Sequence, residues 1–213
     1  MKTDDLVTML ATGVEPVESA VTARRYALAL GWGTLGATLL MATLLGVRAD
    51  LGEAVRLPMF WLKLGFPLCL AVAAFYAVMR LSRPGVRLGR VPAALVAPVI
   101  VIWLMAAYTL TAAAPDERLA LLLGQTWAVC PALIAMLSAP VFAGTFWAMK
   151  GLAPTQPALA GAAAGLLAGA VATAVYALHC PEMAAPFLAT WYLLGMAIPT
   201  VVGALLGPRQ LRW

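Results

Sequence analysis

PALAGAAAGLLAGAVATAVYAL, residues 157–178, carries no charged side chain from end to end. A helix needs roughly 17–25 apolar residues to cross a bilayer, and this stretch is long enough. Period-2 alternation is missing and Ala, Leu and Gly dominate, so a helix is expected here and not a barrel strand. Gly161, Gly165 and Gly169 recur every four residues and form one small-residue stripe. Such stripes let helix backbones approach closely where the hydrophobic effect offers no drive between helices. Gly203 and Gly207 repeat the spacing further on. Helix packing is the expected role, with a homodimer face as the alternative.

Five more stretches resemble it. The six spans are expected near 26–47, 58–79, 91–113, 132–149, 158–178 and 187–206, with Pro131 blurring the start of the fourth. Pro67, Pro98, Pro140 and Pro199 fall inside spans, where they should kink the helix or end a turn. The composition agrees: 63% of the 213 residues are hydrophobic and 11% are charged, against about 25% charged in a soluble domain. The mean hydropathy is +0.93. The expected fold is an all-α integral membrane protein with six transmembrane helices. Residues 1–25 form a tail, 26–206 the membrane domain, and 207–213 a second short tail. The first 25 residues are acidic and polar, without the apolar core of a signal peptide.

Lys and Arg in short loops set the orientation. Lys2, Arg24, Arg25, Arg80, Arg83, Arg87, Arg90, Lys150, Arg209 and Arg212 fall on one side of a six-span chain. Arg48, Arg56 and Arg118 fall on the other, offset by Asp50, Glu53, Asp116, Glu117 and Glu182. Both termini are therefore expected in the cytoplasm of a multi-pass bacterial inner-membrane protein. The net charge of +5 follows from this loop pattern, and no direct nucleic-acid contact is expected.

No Asp or Glu falls inside a span, which leaves little for a proton relay or an ion-coupled transporter. With a single histidine and no buried acid there is equally little for general acid–base catalysis, so an enzyme is not expected. Lys63 is the one charged residue in a span. Its stem is expected to snorkel to the interface, although a basic group near thiols could also activate them. Cys69, inside the second span, reads as a small apolar residue.

Cys130, in WAVCP (127–131), and Cys180, in YALHCPEM (176–183), are each followed by proline. Both are expected at helix mouths on the extracytoplasmic side. Three readings stay open from the residues alone. Thiols outside the cytoplasm tend to pair, so one is a structural disulfide or redox pair. Another is a metal site, since His179 and Glu182 flank Cys180 and soft thiolates with an imidazole suit zinc, cadmium or copper(I). The third is no special role. No resident cofactor is expected; a heavy-metal ion would bind at Cys130 and Cys180 only transiently.

TDDLVTMLAT, residues 3–12, reads as a short helix. Thr3 would cap it, Asp4 and Asp5 suit the positive end of its dipole, and Leu6, Met9 and Leu10 share one face. Gly13 and Pro16 would end it, and Glu15 and Glu18 keep the following linker acidic. Helices that lie on membranes are usually Lys/Arg-rich. An acidic helix with a narrow apolar face better suits a basic protein partner.

Several further stretches carry a resemblance across the whole chain: MKTDDLVTMLA, FWLKLGFPL (60–68), RLSRPG (80–85), WAVCPALIAMLSAP (127–140), MKGLAPTQPALAGAAAGLLAGA (149–170), YALHCPE (176–182), WYLLGMAIP and GALLGPRQLRW. Together they resemble the six-span membrane anti-sigma factors called negative regulators of sigma F. The resemblance implies that the cytoplasmic tail holds an extracytoplasmic-function sigma factor at the membrane; Asp4, Asp5, Leu6, Met9 and Leu10 are the candidate contacts on the tail helix, and membrane lipid is the other expected partner. It also implies that Cys130 and Cys180 are needed for release in a stress response to heavy metal or oxidant. The tail is short for an anti-sigma domain, so cytoplasmic loops would share the contact. The competing reading is a small transporter or permease subunit with a structural disulfide.

Overall fold

The computed structural model describes residues 3–12, 21–83, 85–152 and 154–211. Among them there are helices and connections but no strand. The tail forms α1 (Thr3–Ala11). Six helices are long and apolar enough to cross a membrane. These are α2 (Val21–Leu40), prolonged by a π-helical turn Met41–Leu45; α4 (Pro58–Leu81); α5 (Val91–Ala112); α7 (Cys130–Met149); α8 (Pro157–Tyr176); and α10 (Leu193–Gln210). The last is entered through α9 (Ala185–Phe187) and a second π-helical turn, Leu188–Tyr192. Two short helices, α3 (Leu51–Ala54) and α6 (Arg118–Leu123), sit in the connections.

Several boundaries differ from the sequence reading. The fourth span starts at Cys130, because Pro131 occupies the first turn, where its missing N–H is no loss. The sixth runs through Pro208 to Gln210, and the first begins at Val21. Helix therefore crosses both expected domain edges, 25/26 and 206/207. The fifth stops at Tyr176, and turns follow it. The four interior prolines all lie within helices. Lys2, Gly13, Glu15, Pro16, Glu18 and Arg212 lie outside the described residues.

α8 is the centre of the bundle. It packs against α10, α4 and α7, and most of its length is buried. The reason is the small-residue stripe. A Cβ on Gly161 would overlap the Gly203 carbonyl, one on Gly165 the Pro199 carbonyl, and one on Gly207 the Pro157 carbonyl. Gly169 faces Pro199 and Met196. The stripe is thus consumed inside the chain by the α8–α10 contact and is not left as a homodimer face. A second close approach joins α2 to α7. Here a Cβ on Gly33 would lie 2.7 Å from the Val141 Cα, and one on Gly144 2.9 Å from the Ala29 oxygen.

Large apolar side chains point outward from the bundle, among them Trp32, Leu39, Leu104 and Leu205. Such a surface fits hydrocarbon better than water. The helices alternate in direction, which gathers the connections at two ends. At one end Tyr26 of α2 meets Ser82 beyond α4, hydroxyl to hydroxyl at 2.7 Å, and both are buried. Arg25 donates there to the carbonyls of Trp147 (3.2 Å) and Lys150 (3.3 Å) at the close of α7. Arg80, Arg83, Arg87, Arg90 and Arg209 belong to this same end by chain position. The opposite end holds the start of α4, the start of α7 and the exit of α8.

Candidate functional site: a buried thiol cluster

The exit of α8 is built by backbone geometry. The Cys180 N–H donates to the Tyr176 carbonyl at 3.0 Å, so the chain turns once more before Pro181 halts it. Cys130 enters α7 from the other side, its N–H held by the Thr126 carbonyl at 2.9 Å. Both cysteines are free thiols, and neither is exposed to solvent. They come from the start of α7 and the exit of α8, yet the Tyr176 side chain interacts with both. Tyr192 approaches Cys180 from the second π-helical turn. Its buried hydroxyl stops short of hydrogen-bond geometry and has no partner. The Thr126 hydroxyl lies 4.0 Å from the Cys180 sulfur.

Lys63 corrects the sequence reading. It does not snorkel; it is fully buried. Its ammonium donates to the Cys180 carbonyl at 2.5 Å and to the Glu182 carbonyl at 2.8 Å. The Tyr192 ring lies 5.9 Å from the same nitrogen. Removing an ammonium from water costs several kcal/mol even after relaxation. Charge-assisted hydrogen bonds, about 1.5–3 kcal/mol each, offset much of that. The segment after α8 supplies those acceptors by folding back over α4, which an apolar count of α4 cannot register.

His179 and Glu182 turn elsewhere. The His179 Nδ1 donates to the Gly46 carbonyl at 2.8 Å. The Glu182 carboxylate accepts from the Gln125 N–H (2.7 Å), the Thr126 N–H (3.3 Å) and the Thr126 hydroxyl (3.4 Å). Gly124 turns the chain there at φ +57°, and a Cβ on it would meet that carboxylate at 2.6 Å. Among the described residues, no three His, Cys, Asp or Glu side chains converge as a metal site. The structure thus brings the two cysteines together and leaves His179 and Glu182 on separate tasks. Arg48 adds a second cation, donating to the Cys180 carbonyl at 3.2 Å and pairing with Asp50 at 2.7 Å. The bond from that guanidinium holds the Asp50 carboxyl below the usual carboxylate range.

A family profile described as "Negative regulator of sigma F" matches residues 10–213. The chain belongs to this family. A "Probable anti-sigma-F factor NrsF" of Azospira oryzae is 62% identical, with all of both chains covered. The "Anti-sigma-F factor NrsF" of Caulobacter vibrioides is 41% identical, again across all of both chains. No solved structure matches the chain. The relatives of this negative regulator of sigma F family are named as regulators, not as enzymes.

The tail expected to hold the partner is helical as read. Thr3 opens the described helix. Asp4 and Asp5 fall in the first turn. Leu6, Met9 and Leu10 are all exposed, and no residue of α1 is buried.

The sequence reading missed Tyr176, Tyr192 and Arg48 as neighbours of the thiols. Tyr176 left one signal, since it precedes Cys180 by four residues and so shares its helical face. Tyr192 and Arg48 left none.

Proposed function

We propose that this chain is a membrane anti-sigma factor. It holds an extracytoplasmic-function sigma factor at the cytoplasmic face and releases it when Cys130 and Cys180 react with an oxidant or a soft metal ion. The anti-sigma role is supported by family membership across nearly the whole chain, with full-length relatives that carry that name. One observation carries the sensing role: the start of α7 and the exit of α8 bring two free, buried thiols within electrostatic reach of each other and of the Tyr176 side chain. A thiol has to be free to react, and the thiolate is the reactive form.

The loop charges support cytoplasmic termini in an inner membrane and the thiols on the opposite side. α1, with its apolar face uncovered, is the segment offered to sigma. A soft ion would bridge two thiolates; an oxidant would join the sulfurs and release two protons and two electrons to it. Either event changes how α7 begins and α8 ends, which biases the bundle between holding and releasing.

The test is a sigma-dependent reporter in cells carrying Cys130→Ser, Cys180→Ser or both. All three variants are expected to keep repression and to lose induction by cadmium or hypochlorite, because either thiol alone is half a site. Normal induction in the double variant would refute the sensing role.

A further inference from the structure

A sensor thiol must be reached by its signal, yet both thiols here are sealed from solvent. Cys180 lies in the segment 178–184, between the exit of α8 and the start of α9. This segment is fastened from three sides. From α4, the buried Lys63 ammonium donates to the carbonyls of Cys180 and Glu182. From the connection before α3, the Arg48 N–H donates to the Leu178 carbonyl at 3.1 Å and its guanidinium to the Cys180 carbonyl. From the loop before α7, the amides of Gln125 and Thr126 hold the Glu182 carboxylate.

These fasteners differ from ordinary packing. The segment is short, has no regular helix of its own, and is held by polar bonds to three other elements. Segments of that kind open locally at a lower cost than packed helices do. Glu182 also ties the Cys180 segment to the loop that leads into Cys130, so one opening would loosen the surroundings of both sulfurs.

We propose that segment 178–184 is a latch over the thiol pair, fastened by Lys63 and Glu182, and that its opening sets how fast a thiol-reactive signal reaches Cys130 and Cys180. Lys63 and Glu182 are then positioning residues of the sensor. The proposal rests on the sensing role of the two cysteines. Its test reads thiol access and not sigma release, so the two can fail separately: latched thiols in a chain whose cysteine variants still respond would refute sensing alone.

The experiment follows N-ethylmaleimide labelling of each cysteine in native membranes by mass spectrometry. Lys63→Met removes the donor from two carbonyls, and Glu182→Ala removes the acceptor from two amides. Each is expected to label roughly ten-fold or more faster at both Cys130 and Cys180, the population shift that loss of one charge-assisted hydrogen bond allows. A cysteine introduced at Asp116, exposed in the connection before α6, is the internal reference and should label at an unchanged rate. Glu182→Gln keeps one acceptor oxygen and should fall between Glu182→Ala and the parent. Parental labelling rates at both thiols in Lys63→Met and Glu182→Ala, at equal membrane levels, overturn the latch. If Lys63→Met does not accumulate in membranes, Glu182→Ala, confined to a connecting segment, decides alone.

Discussion

Tyr26 and Ser82 share a buried hydrogen bond of 2.7 Å that ties the first turns of α2 to the end of α4. Ser82 also donates back to the Val78 carbonyl at 2.7 Å, so in this chain of bonds Tyr26 donates and Ser82 both accepts and donates. The pair lies where the tail enters the bundle, beside Arg25 and its two carbonyl partners at the end of α7. Both elements that end here begin at the thiol cluster: α4 carries Lys63 and α7 carries Cys130.

Tyr26→Phe leaves the Ser82 hydroxyl without its donor in a buried setting, which should cost about 1–3 kcal/mol. Tyr26→Phe with Ser82→Ala should cost less than the sum of the two single changes, because the second removes the group the first had orphaned. Thermal unfolding of the purified protein in detergent checks this, and strict additivity would argue that the two hydroxyls do not interact.

The α8–α10 contact predicts a sharp contrast between glycines. Gly161→Ala puts a methyl into the Gly203 backbone, which has no flexible end to move aside. Overpacking of this kind should destabilise the protein by about 1–3 kcal/mol. Gly65→Ala, on α4, meets nothing within 4 Å and should be neutral or slightly stabilising. The same detergent unfolding assay ranks them.

Orientation can be read without Cys130 and Cys180, which are buried. Asp116 and Val86 are exposed at opposite ends of the chain's alternating helices. A membrane-impermeant maleimide applied to intact cells should label Asp116→Cys and not Val86→Cys. The reverse pattern would place the basic loops outside and invert the account.

The tail prediction follows from the exposed apolar face of α1 formed by Leu6, Met9 and Leu10. Leu6→Asp or Leu10→Asp puts a charge on that face and should turn sigma-dependent genes on without stress, with the protein at its normal membrane level. Unchanged repression would move the contact to the loops at the same end.

The spans were legible in the sequence because each is a long apolar run, and the Gly161–Gly169 stripe was legible as a packing face because its spacing is local. Its partner was suggested only by the matching Gly203 and Gly207. The α2–α7 contact at Gly33 and Gly144 was not, since neither belongs to a long stripe. The thiol cluster was half legible. Cys130 and Cys180 announced themselves by rarity and by the prolines after them. Lys63 was misread because its acceptors lie 117 and 119 positions away, and the sequence around it shows only an apolar helix end. His179 and Glu182 looked like ligands from their closeness to Cys180, but among the described residues they do not converge with the thiols as a metal-binding group, and each bonds to another loop. The π-helical turns at Met41–Leu45 and Leu188–Tyr192 have no clear marker in the residues that form them.

The central claim is that this chain holds a sigma factor and lets it go when its thiols react. The most direct measurement is affinity purification of the tagged, full-length chain from solubilised membranes, before and after a brief exposure of cells to cadmium or hypochlorite, with bound proteins identified by mass spectrometry. An extracytoplasmic-function sigma factor is expected to co-purify from unstressed cells, to be lost after exposure, and to be retained after exposure in the Cys130→Ser, Cys180→Ser double variant. Absence of any sigma factor from the unstressed sample, with the tagged chain recovered at its normal level, would contradict the claim.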